Sequence, residues 1–107
     1  MKRGDLVTVV SSGDYGKPRP ALIVQADIHG EHPSVTVLPL TSTLHDAPML
    51  RITVEAGDVT GLRNRSQVMI DKTTTIPRAK IGTRIGRLDD AKMATVTGAM
   101  SAFLGVG

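Results

Sequence analysis

The apolar pattern of this chain changes period once, and this change limits the fold more than any other feature. Up to Leu88, short apolar runs alternate with polar residues or are interrupted by glycine and proline, which is typical of β-strands. Beyond that point, Met93, Val96, Met100 and Phe103 recur at steps of three and four residues, which is typical of an amphipathic helix. The pattern therefore predicts a mainly β fold that ends in one α-helix.

The predicted strands are short and are separated by turn-forming residues, including a loop at 11–18. They cover Asp5–Val10, Pro20–Gln25, Ser34–Leu40, Leu50–Val54, one or two strands within Ser66–Ile76, and Thr83–Leu88. The helix is expected to begin after Asp89 or Asp90 as its N-cap and to end before Gly105. Gly98 inside the helix predicts a close approach to a strand. Together these elements predict a small, mostly antiparallel barrel or curled sheet.

The third predicted strand is apolar on both faces, because Val35 and Val37 alternate with Leu38 and Leu40. A strand with two apolar faces is expected at the centre of a sheet. Pro39 has no backbone N–H to donate, so it predicts a local edge or bulge within that strand.

Composition narrows the class of protein. The 107 residues, 40% hydrophobic and 21% charged, predict one globular domain over 1–107. The longest apolar run, Ala21-Leu22-Ile23-Val24, is too short to cross a membrane, and no signal peptide is recognisable. Zero cysteines exclude disulfides and thiolate chemistry, so a cytoplasmic protein is expected. His29, His32 and His45 form no metal-ligand spacing and are interpreted as exposed loop residues.

Charge and aromatic content bear on function. The chain carries a net charge of +3, and the segment from Val59 to Leu88 has a single acidic residue, Asp71, among seven basic ones. Those seven are Arg63, Arg65, Lys72, Arg78, Lys80, Arg84 and Arg87. The segment is either a solvated face or a polyanion-binding surface. With one Tyr, one Phe and no Trp, any binding of nucleic acid must depend mainly on charge and hydrogen bonds.

Three sites have residue types that suit phosphate chemistry. Pro18-Arg19-Pro20 restricts the backbone around an arginine, which is either a strand-end charge or a preoriented phosphate clamp. Thr41-Ser42-Thr43 supplies hydroxyls for either turn hydrogen bonds or phosphate oxygens. Asp71 is either a structural ion-pair partner or a carboxylate that accepts a proton from a ribose hydroxyl.

Five short segments occur in an order that is typical of one protein family. They are Arg3-Gly4-Asp5-Leu6-Val7, Arg19-Pro20-Ala21-Leu22-Ile23-Val24, Pro39-Leu40-Thr41-Ser42, Ser66-Gln67-Val68-Met69-Ile70-Asp71, and Ile85-Gly86-Arg87-Leu88 before the terminal helix. This order resembles the MazF/PemK family of toxin endoribonucleases from bacterial toxin–antitoxin modules. The resemblance implies an SH3-like small barrel of the CcdB/PemK type with a C-terminal helix, acting as a homodimer. It also implies sequence-selective cleavage of single-stranded RNA without a metal or other cofactor, which inhibits translation and growth.

The resemblance also implies site residues. Arg19 falls on the family's phosphate clamp and is a candidate proton donor, Thr41 on its oxygen-stabilising hydroxyl, and Asp71 on its acid–base carboxylate. The products expected are a 2′,3′-cyclic phosphate and a 5′-hydroxyl. Substrate contacts are expected from Lys17, Ser42, Lys72, Thr74 and Arg78.

The chain departs from the family pattern at two places. The family's usual Gln and Arg are replaced by Lys72 and Thr74. This replacement is expected to affect which RNA bases are preferred and which residues act as acid and base. In the first loop, Asp14, Tyr15 and Lys17 are the polar candidates for a position where the family sometimes has His or Glu.

A partner and two alternatives follow. The resemblance implies a cognate antitoxin with an acidic tail that covers the RNA groove, and Val35, Leu38 and Met49 are candidates for a dimer interface. One alternative is a non-enzymatic poison of DNA gyrase like the CcdB toxins, whose C-terminal Trp has no counterpart here. The other is a degenerate family member that binds only RNA or the antitoxin.

Overall fold

The computed structural model describes residues 1–10 and 17–106. The strands are β1 (Asp5–Val10), β2 (Pro18–Ile23), β3 (Ser34–Thr41), β4 (Arg51–Val54), β5 (Ser66–Met69), β6 (Thr74–Pro77) and β7 (Ile81–Arg87), and the helix is α1 (Asp90–Leu104). Short 3₁₀ turns cover Asp27–His29, Ile70–Lys72 and Arg78–Lys80. All the predicted strands and the terminal helix are confirmed, and the 66–76 segment forms two strands.

The strands form one antiparallel sheet in the order β4-β5-β3-β2-β1-β7, with β6 also paired to β3. Within the described residues no ladder joins β4 to β7, so the sheet is open rather than a closed barrel. A mainly β fold with a C-terminal helix is thereby confirmed. The described part of the chain contains no helix with the length and apolarity needed to cross a membrane.

Strand β3 lies at the centre of the sheet, as its two apolar faces predict. One edge pairs with β2, and the other pairs first with β6 along Ser34–Val37 and then with β5 at Leu40 and Thr41. The change of partner falls at Leu38 and Pro39. A proline suits this position because it has no N–H to contribute to a continuous ladder.

Alternation along the strands produces two apolar layers. The larger layer, here called the core face, contains Leu6, Leu22, Leu38, Leu40, Val68, Ile70, Leu88 and Val96 among its buried residues. The smaller layer, the open face, contains Val7, Ala21, Ile23, Val35 and Val37, with half-buried Val9, Ile76 and Ile81 packed against it. Neighbouring residues of one strand thus enter different layers, because successive side chains point to opposite sides.

Helix α1 covers the core face through Val96, which is fully buried, and through half-buried Met93 and Met100. Its N-terminus is capped as predicted, since Asp89 accepts a hydrogen bond of 2.7 Å from the Lys92 amide.

Two helix predictions and one interface prediction are wrong. Phe103 is 49% exposed and does not join Met93, Val96 and Met100 in the contact with the core. A Cβ at Gly98 would have no neighbour within 4 Å, so this glycine faces outward instead of approaching a strand. Val35 and Leu38 lie in the two apolar layers and have no surface to offer a partner, whereas Met49 is 70% exposed.

Candidate functional site

Strands β2 and β3 bring Arg19 and Thr41 to the same groove. Their antiparallel ladder pairs Ala21 with Pro39, and continuing this register by two residues leads to Arg19 and Thr41, which both line one groove. Both residues share the parity of Ala21 and therefore belong to the open face. Directly opposed positions of neighbouring strands lie within side-chain reach of each other. The two sites predicted separately from the sequence are thus brought together.

An apolar groove of about 370 Å³ runs along the open face beside this pair. It is lined by Val9, Arg19, Pro20, Ala21, Val37, Pro39, Leu40, Thr41, Met69, Thr74 and Ile76. Most of the lining is aliphatic, and the polar side chains are Arg19, Thr41 and Thr74. An apolar floor with a few convergent polar groups is the usual form of a ligand site.

A polar groove of about 550 Å³ adjoins the apolar groove, and the two share Arg19 and Pro20. Its lining is Thr8, Lys17, Pro18, Arg19, Pro20, Ser42, Gly61, Leu62, Arg63, Asn64, Ser66 and Ile85. Of the predicted substrate contacts, Lys17 and Ser42 lie here, whereas Thr74 lies in the apolar groove. Arg19 therefore lies where the apolar groove meets the polar groove.

The Thr41 hydroxyl makes the turn hydrogen bond that the sequence allowed. Its Oγ1 accepts a hydrogen bond of 3.1 Å from the Thr43 amide, which is ordinary turn chemistry. A hydroxyl that accepts still has its own proton to donate, and no described residue takes that proton. Thr41 is therefore held in place by the turn while it remains able to donate to an oxygen in the groove.

Asp71 is not part of this groove. It lies in the 3₁₀ turn that follows β5, and its carboxylate forms a hydrogen-bonded ion pair with Arg51 on β4. The Arg51 guanidinium lowers the pKa of the Asp71 carboxyl below its usual value. In the sheet order, β5 and β3 separate β4 from the strand that carries Arg19. The structural ion pair that the sequence allowed is present, and the structure does not bring Asp71 together with Arg19.

Two further predicted contacts also lie outside the grooves. Lys72 is exposed beside Asp71 and lines neither groove. Arg78 donates hydrogen bonds to the carbonyls of His32, at 2.9 Å, and of Gly30, so it ties a distant loop to the end of β6. In the first loop, Asp14 and Tyr15 lie outside the described residues.

Ion pairs occupy most of the arginines in the basic segment. Arg65 pairs with Glu55 at 2.9 Å, Arg84 with Asp5 at 3.1 Å, and Arg87 with Asp90 at 3.6 Å. The charge excess of the segment is therefore not one continuous patch.

The Asp5 partner of Arg84 is itself nearly buried. Burial alone raises the pKa of this carboxyl, but the Lys2 amide and the Arg84 guanidinium outweigh it, and the pKa lies below its usual value. Asp5 is thus a structural carboxylate that neutralises Arg84, one of the cations of the basic segment.

Sequence reasoning missed Arg51 as the partner of Asp71, and it did not single out Arg63 and Asn64, which line the polar groove. Arg63 belonged to the basic segment, but nothing in its local sequence distinguished it from arginines that are paired in the fold. Among the described residues, no group of three or more His, Cys, Asp or Glu side chains could hold a metal ion.

Comparison with known proteins identifies the family. Residues 2–104 match the family described as PemK-like, MazF-like toxin of type II toxin-antitoxin system. A protein of Mycolicibacterium smegmatis named "Probable endoribonuclease MazF" is 47% identical over 107 residues, which cover 99% of this chain and 98% of that protein. "Endoribonuclease MazF3" of Mycobacterium tuberculosis is 38% identical over 73 residues, 67% of this chain and 68% of that protein.

Solved structures agree with this assignment. The structure of "Mycobacterium tuberculosis toxin MazF-mt6" has a TM-score of 0.82 and 27% identity, covering 96% of this chain and 98% of that one. A structure described as "Endoribonuclease in complex with its cognate antitoxin from Mycobacterial species" has a TM-score of 0.81 over 100% of this chain and 97% of that one. At 24% identity, this second structure shows the fold alone. This chain belongs to the PemK-like, MazF-like toxins of type II toxin–antitoxin systems.

Proposed function

We propose that this chain is an endoribonuclease toxin that cuts single-stranded RNA where its two grooves meet. The observation that carries the proposal is that Arg19 and Thr41 line the same groove, and that Arg19 also lines the second groove. Support comes from the relative named a probable endoribonuclease, which matches nearly the whole chain.

The proposed chemistry uses the nucleophile that RNA itself carries. The 2′-hydroxyl gives up its proton and attacks the adjacent phosphorus, the bond to the 5′-oxygen breaks as that oxygen takes up a proton from Arg19 or from water, and the products are a 2′,3′-cyclic phosphate and a 5′-hydroxyl. Arg19 grips the phosphoryl oxygens with a guanidinium that stays charged at every physiological pH. Thr41 donates its hydroxyl proton to the same group, so that the developing charge is stabilised by preoriented donors. This division of roles requires no metal ion.

Asp71 is proposed as the base that takes the 2′-hydroxyl proton. Its pairing with Arg51 keeps it ionised, and so able to accept, well into the acid range. The same pairing makes it a weaker base and holds it away from the groove. The proposal therefore requires the bound RNA, or a second subunit, to bring the carboxylate to the 2′-hydroxyl.

Base selectivity is assigned to the apolar groove. Its aliphatic floor, which includes Val37, Met69 and Ile76, can hold a nucleobase by apolar contact without an aromatic platform. Thr74 replaces a family arginine and lies in this lining, so it is proposed to contact the base. Lys72 lies outside the groove and is proposed to act only through its charge.

A partner and an assembly complete the proposal. An acidic antitoxin segment would compete with RNA for the cations of the polar groove, and this contact should weaken with salt. A homodimer acting in the cytoplasm, where mRNA is available, is proposed on the family resemblance.

The test is cleavage of a defined mRNA by the purified protein in EDTA, with cut sites mapped by primer extension. Discrete sites bearing 2′,3′-cyclic phosphate ends are expected. Intact RNA together with inhibited DNA gyrase would instead support a CcdB-like poison. Intact RNA that is still bound would support a degenerate member of the family.

A further inference from the structure

We propose that Arg63, together with Asn64, forms a second phosphate-binding subsite in the polar groove, which holds the RNA strand one or more nucleotides from the cut. This subsite rests on the proposed ribonuclease function, because it takes the same strand that Arg19 holds. The sequence placed Arg63 in the basic segment without singling it out, and it assigned Asn64 no role.

The charge of Arg63 is available to an anion. Among the described residues, Arg63 has no acidic partner, whereas Arg65, Arg84 and Arg87 each pair with a carboxylate. An arginine that lines a groove without a carboxylate retains its whole fork of donors for an incoming anion.

The backbone beneath Arg63 is fixed, so only its side chain has to be ordered when an anion binds, which reduces the entropy lost. The loop that carries Arg63 is anchored by Leu62, whose side chain is 8% exposed. Gly61 has φ +72°, and a Cβ there would lie 1.9 Å from the Ile85 carbonyl oxygen, so the loop packs directly on the backbone of β7. On the far side, the Ser66 hydroxyl donates to the Asn64 carbonyl at 2.9 Å.

The proposed subsite is continuous with the surface around Arg19. Arg63 and Asn64 line the same polar groove as Lys17, Arg19 and Ser42. A single strand whose scissile phosphate lies on Arg19 can therefore extend along this lining, with its next phosphates toward Arg63. The Asn64 amide adds both a donor and acceptors for a sugar hydroxyl or a base edge.

The experiment measures binding separately from cleavage. The probe is a fluorescein-labelled pool of random-sequence oligonucleotides of about 12 nucleotides. Its sugars are 2′-O-methylated, so it retains every phosphate but lacks the nucleophile. Affinity is measured by fluorescence anisotropy across a salt series for the wild type, Arg63→Gln and Arg65→Gln. Arg65→Gln is the matched control, because it removes the same charge from an arginine that pairs with Glu55 and lines neither groove.

Arg63→Gln is expected to weaken binding about tenfold and to make the slope of log affinity against log salt shallower by about 0.7. Arg65→Gln should leave both close to wild type. Equal affinity and slope for all three proteins would overturn the subsite, as would equal losses in the two variants. Thermal unfolding of each variant checks that its fold is intact.

RNA cleavage, measured in parallel, separates the two proposals. If the wild type cuts RNA but Arg63→Gln behaves like Arg65→Gln, only the subsite is wrong. If the wild type cuts no RNA while Arg63→Gln still loses affinity and salt dependence, the ribonuclease function is wrong and the anion subsite stands.

Discussion

The two faces of the sheet come from the same strands but have different tasks. On the core face, Leu6, Leu22 and Leu38 are completely buried, and helix α1 covers the layer. On the open face, Val35 and Val37 are almost as inaccessible, yet no helix among the described residues covers that layer. Its edge remains a groove that leads to Arg19 and Thr41. The core face is therefore covered and stabilises the protein, whereas the open face is well packed and forms the floor of the apolar groove.

Neighbouring residues of β3 allow a direct test of this difference. Leu38→Ala should lower the free energy of unfolding by about 2–5 kcal/mol, because it leaves a cavity in the closed layer. Val37→Ala should cost about 1.5 kcal/mol, since it removes less apolar surface beside a groove that already admits solvent. Urea unfolding measures both, and an equal or larger loss for Val37→Ala would mean that the open face is packed like the core.

The largest effect on cleavage is expected at the end of the groove. Arg19→Ala should reduce the rate of RNA cleavage about 100–1,000-fold, because it removes a preoriented donor to the phosphate. The free energy of unfolding should change by no more than about 1 kcal/mol for this exposed strand end. Single-turnover cleavage and urea unfolding measure the two quantities. A near-wild-type rate would remove the open face from the chemistry, and Arg65→Ala serves as the surface control.

The Arg51–Asp71 ion pair tests whether a residue outside the groove takes part in cleavage. The folded pKa of Asp71 is lowered, so the pair contributes stability above the ordinary carboxyl pKa of about 3.9 and loses it as the pH falls through the folded pKa. Arg51→Met should return this pKa toward its usual value.

If Asp71 is the base, the acid limb of the pH–rate profile should then move to higher pH in Arg51→Met, while activity at neutral pH is retained. Asp71→Asn should abolish that limb together with most of the activity. An unchanged acid limb in Arg51→Met, with full activity in Asp71→Asn, would leave the pair a purely structural one.

The smallest effect is expected on the outer side of the helix. Gly98→Ala should raise the free energy of unfolding by roughly 0.5–1 kcal/mol, because alanine stabilises a helix interior and its Cβ meets no neighbour within 4 Å. Thermal unfolding at several protein concentrations measures it. Destabilisation that depends on concentration would show instead that a second subunit covers this side of the helix.

The local elements were largely predictable. Strand β3 was correctly placed at the centre of the sheet because both of its parities are apolar, and Pro39 correctly marked the interruption. The helix ends followed from Asp89 and Gly105. The contacts of the helix were less predictable: Phe103 fits the helical period but is half exposed, and Gly98 faces outward.

The candidate site was predictable in its parts rather than in its geometry. Arg19 was singled out by its flanking prolines and Thr41 by the family resemblance, but only the folded sheet brings both to one groove. Lys72 and Arg78 were predicted as substrate contacts together with Lys17 and Ser42, but neither of them lines a groove. Arg78 is in fact directed to backbone carbonyls of a distant loop.

The sequence by itself determined the alternation that builds two layers, the period that builds the helix, and the segments that indicate the family. These properties depend on residues that are close together in the chain. Tertiary contacts set the pairing of Asp71 with Arg51 and of Asp5 with Arg84, and they leave Arg63 in the polar groove without a carboxylate partner among residues 1–10 and 17–106. The reason is that an ion pair depends on distance in space, and the partners that neutralise most of these arginines lie far away in the sequence.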